Sequence, residues 1–184
     1  MTELQRLTGR GVFLRKLRLE DASERYVGWL NDPAVNRFLE SRFTHWTLES
    51  VRDYIRAKQN AREHFFAICD VAGENHVGNI KLGPIDPHHR CADVSLFIGD
   101  TAHWGRGAGS EAIALVTSLA FDQLDLLKLQ AGAYLANIGC IRAFERCGFS
   151  REGLLKERVL SNGVPDDVVM LGYAASEYRT RKSQ

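Results

Sequence analysis

Between residues 91 and 124 the chain changes its period. Residues 91–98 (CADVSLFI) alternate apolar and polar side chains at a step of two, the spacing of a β-strand. After Trp104 comes a glycine-rich turn, Arg106-Gly107-Ala108-Gly109-Ser110. Ile113, Val116, Leu119, Ala120 and Leu124 then recur at three- and four-residue steps, the apolar stripe of a helix. A strand that feeds a helix through such a turn directs the chain to an α/β architecture. It also leaves the unpaired amides of the first helical turn beside backbone that carries almost no side chain. These amides and the helix dipole favour an anion by roughly 0.3–1 kcal/mol per favourable charge, and Arg106 can add a side-chain contact. No Lys-Ser/Thr pair follows the glycines, so this is not a P-loop. The turn follows the third strand of a meander rather than the first strand of a βαβ unit, a poor place for a dinucleotide fold. On spacing alone, a phosphate site and a plain turn both stay open.

The other elements fall around this pair. Residues 11–18 (GVFLRKLR) alternate as a strand, and Asp21 with Glu24 marks a helix start that runs to about Trp29. Asn31-Asp32-Pro33 stops it, and Pro33 opens a short second helix. Thr47 caps a third, with Leu48, Val51 and Ile55 on one face. Residues 64–71 and 76–82 read as strands joined by the turn at 72–75, and residues 83–89 read as a loop. Residues 127–134 form the next strand. Residues 137–147 form a helix closed by Gly148, and residues 153–174 a hairpin around Asn162-Gly163. The expected fold is a single α/β domain over residues 1–184, with a core of about 11–174 and a tail at 175–184. Its sheet is mixed and mostly antiparallel, flanked by helices.

With 24 Lys+Arg against 23 Asp+Glu, the chain lacks the positive excess of a protein that coats nucleic acid. No run of 18 apolar residues is present, so no membrane helix is expected. Charges stand in the first ten residues where a signal peptide needs an apolar core. Cys69, Cys91, Cys140 and Cys147 are scattered, without a Cys-x-x-Cys pair, and read as reduced thiols in a cytoplasmic protein that holds no metal.

The turn at 104–111, Trp-Gly-Arg-Gly-Ala-Gly-Ser-Glu, resembles motif A of the Gcn5-related N-acetyltransferases, in its branch related to the ribosomal-protein alanine and serine acetyltransferases. Gly107 and Gly109 match that motif, while Trp104 stands where Gln or Arg is usual. Residues 136–149 (ANIGCIRAFERCGF) are similar to the family's Asn-x-x-Ser-x-x-x-Tyr/Leu-x-x-x-Gly-Phe segment. Asn162-Gly163 with Asp167 resembles the closing hairpin of the branch.

The resemblance implies a sheet with a V-shaped split between its two central strands, and acetyl-CoA (coenzyme A) in that split. Phe97 and Ile98 would pair with the pantetheine. Trp104, Arg106, Gly107, Ala108, Gly109 and Ser110 would hold the pyrophosphate, with Asn137 and Arg142 as further cofactor contacts. Asn137 is equally suited to be a helix N-cap. The implied reaction is attack of a neutral amine on the thioester. A lysine-like amine with pKa ~10.4 is only about 0.04% neutral at pH 7, a handicap near ~4.6 kcal/mol, against about 1.4 for an α-amine. A base is therefore wanted, together with donors around the reacting carbonyl.

Asp93, where other members carry Glu, is the expected base; a solvated strand carboxylate is the alternative. Phe144 replaces the usual acidic Tyr, and Cys140 is the candidate acid or else a packing thiol. Val159 stands where the ribosomal serine enzymes carry a Glu. Arg37 and Arg42 through charge pairing, and Phe38 through stacking, are candidate acceptor contacts, with a solvated helix edge and core-facing aromatics as the equal alternative; His88 is a candidate base or acceptor contact, or else part of a polar loop. The expected acceptor is a small amine, first an amino sugar on a nucleotide carrier and second a protein N-terminus. The expected assembly is a monomer or homodimer. The competing reading is a CoA-binding module without turnover.

Overall fold

The computed structural model describes residues 6–59 and 63–183. Eight strands form one sheet in the order β1-β2-β3-β4-β5-β6-β8-β7. They are β1 (Leu7–Thr8), β2 (Val12–Lys16), β3 (His64–Asp70), β4 (His76–Asp86), β5 (Cys91–Ile98), β6 (Lys128–Tyr134), β7 (Ser150–Ser161) and β8 (Val164–Ala174). Every pair is antiparallel except β5 and β6. That parallel pair touches only at Cys91↔Lys128, Ala92↔Leu129 and Asp93↔Gln130. Beyond Asp93 the two strands part, and the expected split is present.

The alternation of the strands separates two apolar layers. Leu14, Ile68, Ile80, Leu82 and Leu129 are fully buried on the face covered by α4 (Ala108–Ser118) and α5 (Ile138–Arg146). Each such side chain contributes about 1.5–3 kcal/mol by leaving water. Phe13, Ala67 and Cys69 point the other way, under α1 (Glu24–Asn31) and α3 (Leu48–Gln59), with Tyr26, Trp29, Val51 and Ile55. A short α2 (Pro33–Asn36) follows α1, with Asp32 accepting from the Ala34 N–H at 2.8 Å. Thr47 caps α3 as its sequence predicts, its hydroxyl accepting from the Ser50 N–H at 3.2 Å. The Asn162-Gly163 turn takes φ values of 50° and 79°, the paired left-handed conformation that suits a two-residue hairpin.

Three expectations change. Ser23, not Asp21, caps α1, accepting from the Tyr26 N–H at 3.3 Å. Asp21 instead pairs with Arg15 at 2.6 Å and accepts from the Arg18 N–H at 2.8 Å. Strand β4 runs through Gly83-Pro84 to Asp86, so the loop is shorter than its sequence suggests. The register shifts between Leu82 and Ile85, and this irregularity accommodates a residue without an N–H. The residues read as a tail form a helix, α6 (Ala175–Lys182), whose Glu177 accepts from the Ala174 N–H at 3.1 Å. The two-residue β1 carries no alternation that its sequence could announce. Among the described residues, no helix is long and apolar enough to cross a membrane.

Candidate functional site

The split opens a cleft of about 870 Å³ that passes between β5 and β6. On the β5 side, Val94 to Phe97 line it; on the β6 side, Gly132, Ala133 and Tyr134 do. Since β5 pairs only with β4 beyond Asp93, its other edge offers main-chain groups without a strand partner.

At the far end of β5 the chain turns through Gly105 (φ 69°) and Gly107 (φ 89°) into α4. These left-handed values are strained for any side chain with a Cβ. Gly107 supplies no side-chain cap, and the first intrahelical bond runs from the Glu111 N–H to the Gly107 carbonyl at 2.9 Å. The amides of residues 108–110 therefore precede the helical ladder, just after the exposed residues 104–107, with Ala108 buried and Gly109 and Ser110 half-buried. Glu111 then fixes the start of α4 to the sheet. Its carboxylate accepts from the backbone N–H groups of Arg10, Gly11 and Val12.

Trp104 is exposed, and its indole donates to the Ile98 carbonyl at 2.8 Å. That bond occupies one of the two backbone positions expected to meet a pantetheine, leaving Phe97 as the cleft-lining one. Asn137 caps α5, its side chain accepting from the Cys140 N–H at 3.3 Å, and also lines the cleft. Arg106 is exposed on the turn, whereas Arg142 is exposed on α5 outside the cleft lining.

The opposite mouth of the cleft is made of side chains. The Tyr134 hydroxyl donates to Glu40 at 2.5 Å and accepts from Arg42 at 2.9 Å. Arg42 also donates to the Leu39 and Leu160 carbonyls, both at 2.8 Å, and so ties the segment after α2 to β7. Its guanidinium is thus already engaged rather than open to a ligand. Phe38 lies edge-on to Tyr134, with Arg37 stacked over it on the outside. Deeper in, Asn79 is buried and bridges two groups. Its amide donates to the Tyr26 oxygen, and its carbonyl lies 2.5 Å from His76 Nε2. Burial pushes the Tyr26 phenol far up and the His76 imidazole down, so both stay neutral near pH 7.

Of the expected residues, Phe38, Phe97, Asn137 and Cys140 line this cleft, and the others, Asp93 and His88 among them, do not. Asp93 is exposed at the closed end of the split, where β5 still pairs with β6. His88 is exposed on the β4–β5 turn, its N–H on Asp86 at 2.8 Å. Both belong to the end of β5 opposite the glycine turn. Cys140 does line the cleft, and burial raises its thiol to about 11. Glu40, Tyr134, Lys81 and Arg158 line it too. Their sequence neighbourhoods gave no sign of this, because the cleft gathers them from four separate segments of the chain.

The sequence profile of the Acetyltransferase (GNAT) domain matches residues 12–150. The chain is 31% identical over 174 residues to the probable N-acetyltransferase YjcK of Bacillus subtilis, covering 88% of this chain and 92% of that one. It is 30% identical over 122 residues to a spermidine N(1)-acetyltransferase of Vibrio cholerae, covering 66% and 69%. A solved spermidine N-acetyltransferase from Vibrio cholerae, in complex with CoA and spermine, superposes with a TM-score of 0.81 at 25% identity, over 92% of this chain and 98% of that one. An acetyltransferase of the GNAT family from Bacillus anthracis shares the fold, with a TM-score of 0.81 at 18% identity over 94% and 99%.

Proposed function

Since the chain belongs to the GNAT acetyltransferase family, we propose that it moves an acetyl group from acetyl-CoA to the primary amine of a small acceptor by direct attack. The observation that carries this is the split itself. An unpaired β5 edge leads from a side-chain-lined chamber to uncapped amides at a helix start. These features fit the thioester cofactor. The β5 edge suits strand-like pairing with the pantetheine amides, and the amides of residues 107–110 suit its pyrophosphate. Bound there, acetyl-CoA supplies an acyl group activated as a thioester.

In this reading Phe97 pairs with the pantetheine arm. Gly107, Ala108, Gly109 and Ser110 hold the pyrophosphate through their main chain, with Arg106 and Trp104 at its edge. Asn137 contributes from α5. Ile98 and Arg142 keep lesser parts, since the Ile98 carbonyl is engaged and Arg142 lies outside the cleft lining.

Glu40 is the one carboxylate among the described residues lining the cleft. We assign it the ammonium contact and the proton acceptance that its sequence had suggested for Asp93. Tyr134 orients it through their hydrogen bond. A thiol near 11 is a weaker acid than an ordinary thiol at about 8.5, so Cys140 serves better as cleft wall than as proton donor. Phe38 forms the aromatic side of the acceptor chamber. Arg37 stays at its outer rim, and His88 takes no part.

The acceptor reading places an amino sugar on a nucleotide carrier ahead of a protein N-terminus. The spermidine enzymes among the relatives make a polyamine the alternative. A CoA-thiol release assay with these three acceptor classes tests the proposal. Release with at least one amine, weakened at least tenfold in Glu40→Gln, is expected. CoA binding without release from any amine would instead make the chain a binding module.

A further inference from the structure

The charges that line the acceptor chamber do not match a polycation. Glu40 pairs with Arg42 at 3.7 Å, and the lining adds two further cations, Lys81 on β4 and Arg158 on β7. Lys81 shares its carboxylate partner: Glu63 pairs with Lys81 at 3.5 Å and with Lys58 at 2.9 Å. One buried carboxylate between two ammonium groups leaves that wall net positive. Arg42 is tied to main-chain carbonyls and Tyr134. Arg158 is exposed at the cleft lining and makes no ion pair or hydrogen bond to the described residues.

Arg158 is placed there by an irregularity in the hairpin. Leu155 pairs with Val168 and Val159 with Asp166, so residues 156–158 of β7 oppose the single Asp167 of β8. Glu157 in this bulge is left-handed at φ 49°, strained for a residue with a Cβ, and its N–H donates to the Asp167 carboxylate at 2.8 Å. Bulges of this kind re-aim a side chain out of the regular alternation. Here the re-aimed residue is an unpaired guanidinium, which suits the fork-like recognition of anionic oxygens.

Resting on the acetyltransferase reading, we infer that the acceptor amine carries an anionic group, a phosphoryl or a carboxylate, which Arg158 contacts and the positive Lys81 wall attracts. Glu40 then meets the amine end of the same molecule.

The test uses the full chain and five amines: glucosamine, glucosamine 6-phosphate, a UDP-linked amino sugar, 4-aminobutyrate and spermidine. Thiol release gives KM and kcat, and calorimetry gives Kd for each amine and for CoA. The wild type is expected to prefer one of the three anionic amines over glucosamine and spermidine. Which anionic amine wins separates diphosphate, monophosphate and carboxylate sources. Arg158→Gln is expected to raise KM and Kd for that amine at least tenfold, with the Kd of CoA unchanged and partial recovery in Arg158→Lys. Weaker binding in added salt should accompany this. Preference for spermidine, or equal effects of Arg158→Gln on glucosamine and glucosamine 6-phosphate, overturns the anion subsite while leaving the transferase reading intact. Arg158-dependent binding of an anionic amine with no thiol release from any amine supports the subsite and removes the transferase reading. Absence of both overturns the two together.

Discussion

On the side of the split covered by α4 and α5, the polar groups offered to a ligand belong mostly to the main chain. They are the free β5 edge and the amides ahead of α4. On the side covered by α1 to α3 they belong to side chains, with Glu40 and Tyr134 at the mouth and the His76–Asn79–Tyr26 chain below. The difference teaches which changes each side tolerates. A site made of backbone depends on conformation and survives most substitutions that keep φ and ψ. A site made of buried side chains loses both a function and a satisfied polar group when one member is removed.

Four substitutions or titrations can break or sharpen that contrast. The largest effect is expected at Asn79→Leu, which leaves Tyr26 and His76 buried without their shared partner. It should cost about 2–3 kcal/mol of stability in urea unfolding; a loss below 1 kcal/mol would mean that the chain is held by packing alone. Gly107→Val forces a β-branched residue to φ 89°. It should weaken CoA binding by about 10- to 100-fold in calorimetry with little effect on acceptor binding. Unchanged CoA affinity would remove the pyrophosphate assignment.

The third test is a titration. Burial holds the folded pKa of His76 below its ordinary value, so the unfolded chain takes up a proton first as pH falls through about 6.5. Stability should then decline from about 6.5 down to the lowered folded pKa, by at most ~1.4 kcal/mol per pH unit for this group. Chemical unfolding of wild type and His76→Gln across pH 7.5 to about 5 reads it, and identical slopes would refute the assignment. His64, lowered by the same cause, contributes equally to both proteins. The smallest effect is expected at Ser110→Ala. Ser110 serves through its amide, so CoA affinity should stay within about twofold; a larger loss would bring its hydroxyl into the site.

The legible parts of this molecule are those in which one segment carries its own signal. The alternation at 91–98 gave β5 with both ends correct, and Thr47, Gly148 and Asn162-Gly163 marked their caps and turns. The spacing of Gly107 and Gly109 located the start of α4. Where a segment lacks an apolar stripe, the signal fails. The polar run Ala175–Lys182 is helical, yet among its residues only Ala175 is buried. It is held by contacts of Tyr178 and Lys182 with Asp122, at 2.8 and 3.0 Å. Asp93 shows a related limit. Its alternation gave the face of β5 correctly, but not the point along the strand at which β6 departs.

By itself the sequence determined the order of strands and helices between about residues 11 and 174 and the glycine turn, since each follows from local periodicity or from a residue's own backbone preference. Only the tertiary structure decided where the sheet parts and which charges meet in the opening. Glu40 reaches Tyr134 across 94 positions and Arg42 reaches Leu160 across 118, and contacts so distant leave no periodic trace in either segment. The parting of β5 and β6 after Asp93 is likewise a pairing that stops, a property of two strands together and of neither alone.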